Sequence, residues 1–171
     1  MPKVKLKDGR AVLVRRFEMG DKESLVDMYA SLSDEALRWA MPPYTREIIE
    51  RWLSNIQNLI VLVAVYDGKI VGHAQILKYA HARRKGTGDL IIYLHQDFHN
   101  VGLGTAMLRK LVEVAAAEGM HRLGLHVIAD SERAVHLYEK LGFQKEGIMQ
   151  ASYLGEDGKY RDEVVMGLLL P

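Results

Sequence analysis

The spacing of hydrophobic residues divides the chain into strands and helices. Alternating or continuous β-branched runs predict strands at residues 11–17, 59–66, 70–79, 89–95, 122–128, 143–150 and 160–169. Apolar positions three and four residues apart predict helices capped by Asp21, Ser33 and Thr45, and further helices at about 102–118 and 131–141. This order predicts an α/β (α+β) domain with a mixed sheet and helices on its faces.

Composition limits the classes of protein that this pattern fits. Of the 171 residues, 49% are hydrophobic and 26% are charged, which is typical of a folded domain. The 23 basic and 22 acidic residues nearly cancel, so net charge gives no reason to expect a nucleic-acid or membrane partner. No linker composition or internal repeat interrupts the chain, and we expect residues 1–171 to form a single domain.

The chain contains no cysteine, which excludes disulfides, thiolate metal sites and a cysteine nucleophile. The N-terminal residues lack the apolar core of a signal peptide, and no run approaches the roughly 20 apolar residues of a membrane span. These features predict a cytoplasmic protein. His95, Asp97 and His99 lie close together but lack a fourth ligand, so we expect no metal site.

The most informative segment lies between the strand at 89–95 and the following helix. Gly102-x-Gly104 opens that helix, and Thr105 adds a hydroxyl donor. Glycine lets a backbone approach an anion closely, and the first turn of a helix presents unpaired N–H groups. The segment lacks the third glycine of a dinucleotide fingerprint and the Gly-Lys-Ser/Thr of a P-loop. By itself, this pattern fits a phosphate site or a tight turn required for packing.

A second motif, SERAVHLYEKLGF at residues 131–143, follows one strand later. Together, residues 89–147 resemble the acetyl-CoA-binding core of the GNAT N-acetyltransferases, whose pattern is Arg/Gln-x-x-Gly-x-Gly/Ala and then Asn-x-x-Ala-x-x-Leu-Tyr-x-x-x-Gly-Phe. The residues that match are Gly102, Gly104, Ala134, Leu137, Tyr138, Gly142 and Phe143. The resemblance implies a GNAT-type fold, with a mixed, mostly antiparallel central sheet of about seven strands flanked by helices.

The same resemblance implies acetyl-CoA as the cosubstrate and assigns its binding residues. The strand before the loop would bond the pantetheine, and the loop would hold the pyrophosphate. The residues implied are Ile92, Tyr93, Leu94, His99, Asn100, Val101, Gly102, Leu103, Gly104, Thr105, Ser131 and Tyr138. Two positions depart from the family pattern, since His99 stands for Arg/Gln and Ser131 for Asn. We expect these departures to lower cofactor affinity without changing the assignment.

Acetyl transfer to an amine requires an amine without its proton, a stabilised oxyanion and a protonated leaving thiolate. Without a cysteine, direct attack in a ternary complex is favoured over an acetyl-enzyme. By resemblance, the N–H of Leu94 would stabilise the oxyanion and Tyr138 would protonate the thiolate. Tyr138 also fits the apolar face of its helix, so it is expected to pack against the sheet as well.

The general base has two candidates. Asp89 begins the strand before the loop, at the place where protein-lysine acetyltransferases of the family carry a glutamate. His126 lies on the next strand, where ribosomal-protein acetyltransferases carry one, and histidine suits base catalysis at neutral pH. A base acting through water is the third alternative, with Asp89 as a strand-end carboxylate and His126 as an ordinary sheet histidine.

The acceptor is predicted to be an amine, but the two ends of the chain favour different ones. The N-terminal segment resembles protein-lysine acetyltransferases, whereas residues 147–170 are similar to polyamine, ribosomal-protein and small-amine acetyltransferases. We favour a protein lysine or N-terminal amine over a small amine or polyamine. A non-catalytic acyl-CoA-binding regulator and a nucleotide-binding module are the alternatives from other classes, and a homodimer is left open.

Overall fold

The computed structural model describes residues 2–171, which form an eight-stranded sheet with helices on both faces. The strands are β1 (Val4–Lys5), β2 (Ala11–Arg16), β3 (Leu59–Tyr66), β4 (Lys69–Lys78), β5 (Thr87–Leu94), β6 (Arg122–Ile128), β7 (Gln144–Leu154) and β8 (Tyr160–Leu169). The helices are α1 (Lys22–Ala30), α2 (Asp34–Leu37), α3 (Arg46–Ser54), α4 (Leu103–Ala117) and α5 (Glu132–Lys140). The predicted mixed fold is confirmed. The sheet has eight strands rather than about seven because the two-residue β1 pairs with β2.

The sheet order is β1-β2-β3-β4-β5-β6-β8-β7, and the β5–β6 contact is its parallel pair. This contact runs only from Thr87 opposite Arg122 to Asp89 opposite Gly124. Beyond Asp89 the two strands no longer pair, while β5 stays paired with β4 as far as Leu94. The sheet therefore opens between the second half of β5 and β6.

Short polar side chains fix the start of two of the predicted helices. The hydroxyls of Ser33 and Thr45 accept hydrogen bonds from the N–H groups of Ala36 and Ile48, as expected for N-caps. Asp21 also precedes a helix, but the prediction that its side chain caps that helix is wrong. Its carboxylate instead binds the guanidinium of Arg15 through two hydrogen bonds of 2.7 and 2.8 Å, because a bidentate charged pair outcompetes a neutral cap.

Alternate residues of the central strands face two different hydrophobic cores. Leu90, Leu123 and Leu125 face the core beneath α4 and α5. The buried residues that α4 adds to it are Leu103, Met107, Leu108, Leu111 and Ala115. Strand positions of the opposite parity face a second core, formed with α1 and α3 around Leu25, Ile49 and Val63. The two cores lie on opposite faces of the sheet, so the opening between β5 and β6 connects them.

The second core contains a buried histidine. His73 of β4 is 1% exposed, with the Trp52 ring stacked on it at 6.0 Å between centroids. Its Nδ1 lies 2.6 Å from the Tyr29 hydroxyl, whereas its Nε2 has no hydrogen-bond partner within residues 2–171. Burial lowers the pKa of His73 to about 4, so the ring is neutral at neutral pH.

We expect His73 to make the fold sensitive to mild acid. Its pKa is lower in the folded than in the unfolded chain, so the unfolded state takes up an extra proton as the pH falls from about 6.5 towards 4. The free energy of unfolding should fall across that window, by on the order of 1 kcal/mol per pH unit from this group. His73→Phe should remove this component at the cost of lower stability at all pH values. Urea unfolding between pH 7.5 and 4.5 measures it.

His136→Gln is the matched control because the His136 side chain is 79% exposed. If His73→Phe and wild type lose stability equally with falling pH, His73 is not the group responsible.

Candidate functional site

The opening in the sheet leaves backbone groups of β5 without a neighbouring strand. The N–H of His95 donates to the Val71 carbonyl at 2.9 Å, which fixes the alternation of hydrogen bonds along β4 and β5. By this alternation, odd-numbered residues of β5 bond β4, while Ile92 and Leu94 direct their N–H and C=O groups towards β6. Because β6 has diverged at that level, these two residues present a polar edge to the opening. Tyr93, by contrast, bonds β4 through its backbone.

The turn after β5 carries a run of free N–H groups. The N–H groups of residues 100–105 donate to no protein acceptor within residues 2–171. The side chains of Val101 and Leu103 pack into the first core, so they anchor the turn while its backbone stays accessible. Six consecutive donors at the start of α4 fit a diphosphate, since such a group accepts several hydrogen bonds and gains from the helix dipole. The residues present therefore fit the phosphate groups of acetyl-CoA.

The two glycines of the turn have different roles. Gly102 has a φ of 89°, in the left-handed region that a side chain rarely adopts. Gly104 lies in the first turn of α4, where an added Cβ would meet Leu94 and Leu137 at 3.4 and 3.6 Å, which is ordinary contact distance. Gly102 is thus required by the backbone, whereas at Gly104 the space matters more than the conformation.

The two positions that depart from the family pattern lie on either side of this turn. His99 places its Nε2 2.9 Å from the Leu94 carbonyl. Ser131 precedes α5, and its side chain makes no capping hydrogen bond. The guanidinium of Arg133, in the first turn of α5, instead bonds the side-chain oxygen of Asn100.

Tyr138 reaches the opening from the first core. Tyr138 is 9% exposed, and its ring packs against the Phe143 ring with centroids 5.7 Å apart. Burial raises the pKa of Tyr138 to about 12, and its hydroxyl bonds no protein group within residues 2–171. A protonated phenol with a free donor is what a general acid requires at neutral pH.

Three further phenols reach the opening from the opposite face. The Tyr44 hydroxyl donates to the Tyr93 hydroxyl at 2.6 Å. Tyr153 of β7 donates to the Ala40 carbonyl at 2.6 Å and so fixes the loop between α2 and α3. Burial raises the pKa of Tyr93, with further increases from Tyr44, Tyr138 and Tyr153, so these phenols lie within electrostatic range of one another. We call Tyr44, Tyr93 and Tyr153 the phenol cluster.

The two candidate bases occupy different places on the face of the phenol cluster. The His126 side chain is exposed on β6 and makes no hydrogen bond within residues 2–171. Asp89 lies where β5 and β6 are still paired, five residues or about 16 Å of strand before Leu94. Its Oδ2 accepts the hydroxyl of Tyr79 at 2.5 Å. His126 therefore has a free side chain, and Asp89 already has a partner.

The sequence motifs do not include several residues of this site. Glu163 of β8 shares the face of His126, one diagonal position away across β6 and β8, and accepts the Ser152 hydroxyl at 2.6 Å. Tyr44 and Tyr153 come from a loop and a strand that no spacing rule connects to β5. Among these residues, only Tyr44 stands out in the sequence, as an aromatic residue directly after Pro42-Pro43. This position does not indicate which residue Tyr44 contacts.

Comparisons with known proteins agree with this geometry. The model of the acetyltransferase (GNAT) family matches residues 25–143. An acetyltransferase of the GNAT family from Streptococcus pneumoniae, known from a crystal structure, has 32% sequence identity and a TM-score of 0.82, covering 93% of this chain and 99% of that one.

Two relatives differ in the fraction of this chain that they match. The L-amino acid N-acetyltransferase of Escherichia coli (strain K12) is 26% identical over 156 residues, or 91% of this chain and 96% of the relative. The [ribosomal protein bS18]-alanine N-acetyltransferase of the same strain is 35% identical over 77 residues, or 45% of this chain and 51% of the relative. Within the described residues, no helix is long and apolar enough to span a bilayer. Nor do three or more His, Cys, Asp or Glu side chains of this part of the chain come together as metal ligands would.

Gly104 offers a test of residues 100–105 as the binding site of the diphosphate, a segment that we call the phosphate turn. Gly104→Glu should abolish binding of acetyl-CoA, because it places a carboxylate among the free N–H groups. Gly104→Ala is the control, since its methyl group meets Leu94 and Leu137 at ordinary distances. We expect the alanine variant to bind far better than the glutamate variant, as measured by calorimetric titration. A folded Gly104→Glu protein with wild-type affinity would exclude the turn as the phosphate site.

Proposed function

Because the chain belongs to the GNAT family of acetyltransferases, we propose that it transfers an acetyl group from acetyl-CoA to a protein lysine by direct attack in a ternary complex. N-acetyl transfer from acetyl-CoA is the activity of the family. The observation that carries the finer proposal is the opening between β5 and β6, with Tyr138 on one face and the phenol cluster on the other.

The donor occupies the face of α4 and α5 in this proposal. The free N–H groups of residues 100–105 hold the diphosphate, and the edge of Ile92 and Leu94 bonds the pantetheine arm as an added strand would. The N–H of Leu94 stabilises the oxyanion, since it points into the opening where the carbonyl carbon is attacked. His99 supports this edge by holding the Leu94 carbonyl.

Tyr138 acts as the general acid. Its hydroxyl stays protonated because burial raises its pKa to about 12, and its hydrogen has no competing acceptor within residues 2–171. The leaving thiolate takes this proton as the amide forms. The phenolate is then reprotonated by solvent through the same opening.

His126 is our first choice for the base, with Asp89 and a relay through water as alternatives. The His126 ring is free and lies on the face of the phenol cluster. Asp89 would have to give up its hydrogen bond from Tyr79 and act over about five strand residues. A water chain along the phenols could carry the amine proton to either side chain.

The face of the sheet that carries the phenol cluster, which we call the acceptor face, suits a cationic amine that carries no neighbouring anion. Tyrosine rings and the Glu163 carboxylate attract an ammonium group before it loses its proton. The guanidinium of Arg161 on the same strand is already paired with Asp130 and Asp157, so it offers little to an acceptor's carboxylate. A lysine side chain has the required charge and a slender apolar stem, and an N-terminal amine of a protein shares the charge.

A free L-amino acid is the second candidate. It is supported by the L-amino acid N-acetyltransferase of Escherichia coli, which matches 91% of this chain, whereas the ribosomal-protein acetyltransferase matches 45%. Acceptor contacts depend on the whole domain rather than on the donor core alone, so coverage counts in favour of this candidate.

A panel of acceptors tests the proposal. Release of CoA is followed with a lysine peptide, a peptide with a free N-terminus and a blocked lysine, a set of L-amino acids and a polyamine. The proposal expects the highest kcat/KM with the lysine peptide. A preference for free amino acids selects the second candidate. Tight acetyl-CoA binding without turnover of any acceptor would favour the non-catalytic regulator.

Tyr138→Phe should lower kcat by about 100- to 10,000-fold, the usual range for a general acid, while the protein stays folded because the ring is retained. In the wild type, loss of the Tyr138 proton should not reduce activity until the pH nears about 12. Steady-state kinetics and circular dichroism measure the two effects. Wild-type turnover in Tyr138→Phe would show that the hydroxyl is dispensable.

The pH profile separates the candidate bases. A base must be unprotonated, so activity falls on the acidic side as it takes up a proton. His126→Ala should remove this acidic limb from kcat/KM, and Asp89→Asn should leave it in place. The reverse result assigns the base to Asp89, and unaltered profiles in both variants leave the water relay.

A further inference from the structure

The phosphate turn is flanked by a second element that belongs to none of the motifs. Lys7 lies in the turn between β1 and β2, and its N–H donates to the Val101 carbonyl at 3.0 Å. Next to it, the guanidinium of Arg10 donates to the Asp97 carbonyl at 2.6 Å and lies 3.8 Å from the centroid of the Phe98 ring. The β1–β2 turn is therefore attached to both ends of the segment that precedes α4.

This attachment brings the Lys7 side chain over Gly102. If Gly102 carried a Cβ, that atom would lie 3.7 Å from Cε and 3.9 Å from Cγ of Lys7. The stem of the lysine thus runs beside the free N–H groups of the turn. These are ordinary contact distances, so the stem lies against the turn without crowding it.

The ammonium group of Lys7 is not used by the protein. It forms no ion pair within residues 2–171, and the neighbouring carboxylate of Asp8 is bound to Arg10 at 2.6 Å. The residue is exposed, so the ordinary alternative is a solvated lysine. The contact with Gly102 and the two backbone anchors distinguish it from a freely moving surface side chain.

The loop itself lacks a residue that provides this charge. The Nε2 of His99 is committed to the Leu94 carbonyl, so Nε2 carries the hydrogen. Nδ1 is then the one ring nitrogen left for a ligand, and the ring lacks the bidentate guanidinium of the arginine that the family pattern allows here. A diphosphate carries two negative charges, and backbone N–H groups alone supply only partial positive charge.

We propose that Lys7 binds the diphosphate of acetyl-CoA over Gly102 and so supplies, from the N-terminal turn, the cation that the loop lacks. The Lys7 stem stays packed on Gly102, and the ammonium group approaches the phosphate oxygens from the side opposite the helix N-terminus. This inference rests on the proposed role of residues 100–105 in binding the diphosphate.

The test compares Lys7→Met with Lys5→Met. Methionine keeps an unbranched stem and removes the charge, and Lys5 is an exposed lysine of the adjacent strand β1, so its variant has the same net charge. Calorimetric titrations use CoA and dephospho-CoA at low and high salt, and kcat/KM is measured with S-acetylpantetheine, which has no diphosphate. Lys7→Met should weaken binding of CoA and dephospho-CoA about three- to tenfold at low salt, with a smaller deficit at high salt. Its kcat/KM with S-acetylpantetheine should equal that of the wild type.

Three results would overturn the proposal. Equal affinities of Lys7→Met and Lys5→Met would show that Lys7 contributes only its share of net charge. An equal loss with S-acetylpantetheine would make Lys7 a structural residue of the turn. A loss with CoA but not with dephospho-CoA would place the ammonium at the 3′-phosphate. If Gly104→Glu also leaves affinity unchanged, the role of the turn itself fails, which separates that failure from one confined to Lys7.

Discussion

The parallel contact between β5 and β6 ends at Asp89, and the rest of the site depends on that early end. A strand in the middle of a sheet normally has both rows of backbone groups paired, which leaves nothing for a bound molecule. Here, the outer row of β5 has no neighbouring strand at Ile92 and Leu94, and the Leu94 carbonyl bonds the His99 ring instead. Because the cost of leaving such groups unpaired is high in a dry interior, the opening is expected to be filled by water or by a substrate. The same gap lets side chains from opposite cores approach each other.

The two faces of the sheet also present different chemical groups to the opening. The first core, with α4 and α5, presents N–H donors of a helix start and one buried phenol, which suit an anionic thioester donor. The opposite face of the sheet, which carries the second core, presents the phenol cluster and the Glu163 carboxylate of β8, which suit an amine. In the mechanism that we propose, two reactants of opposite charge enter from opposite sides and meet without displacing one another. This arrangement supports direct attack and requires no enzyme-bound acetyl group.

Much of the fold follows from local sequence patterns, and the acceptor face does not. The strand at 122–128 is observed at Arg122–Ile128, and Ser33 and Thr45 cap their helices, because these features depend on neighbouring residues. The cap expected at Asp21 failed because Arg15, at the end of the preceding strand β2, binds its carboxylate. The glycines of the turn were found from the motif, since one backbone segment supplies all of the donors. Tyr153 and Glu163 approach β6 only through strand pairing, which no spacing rule in a single sequence specifies.

The attachment of the β1–β2 turn to the segment before α4 ties the order of the N-terminal residues to occupancy of the site. The two-residue β1 has little pairing of its own, so this segment depends on the Val101 carbonyl for much of its anchorage. Any molecule that rigidifies the turn before α4 should then rigidify residues 2–10 too, because binding to the ordered state stabilises it by mass action. The amide hydrogens of Leu6 and Lys7 would exchange more slowly when the donor is bound. Slower amide exchange at the N-terminus, outside the catalytic centre, would thus indicate that the acetyl donor is bound.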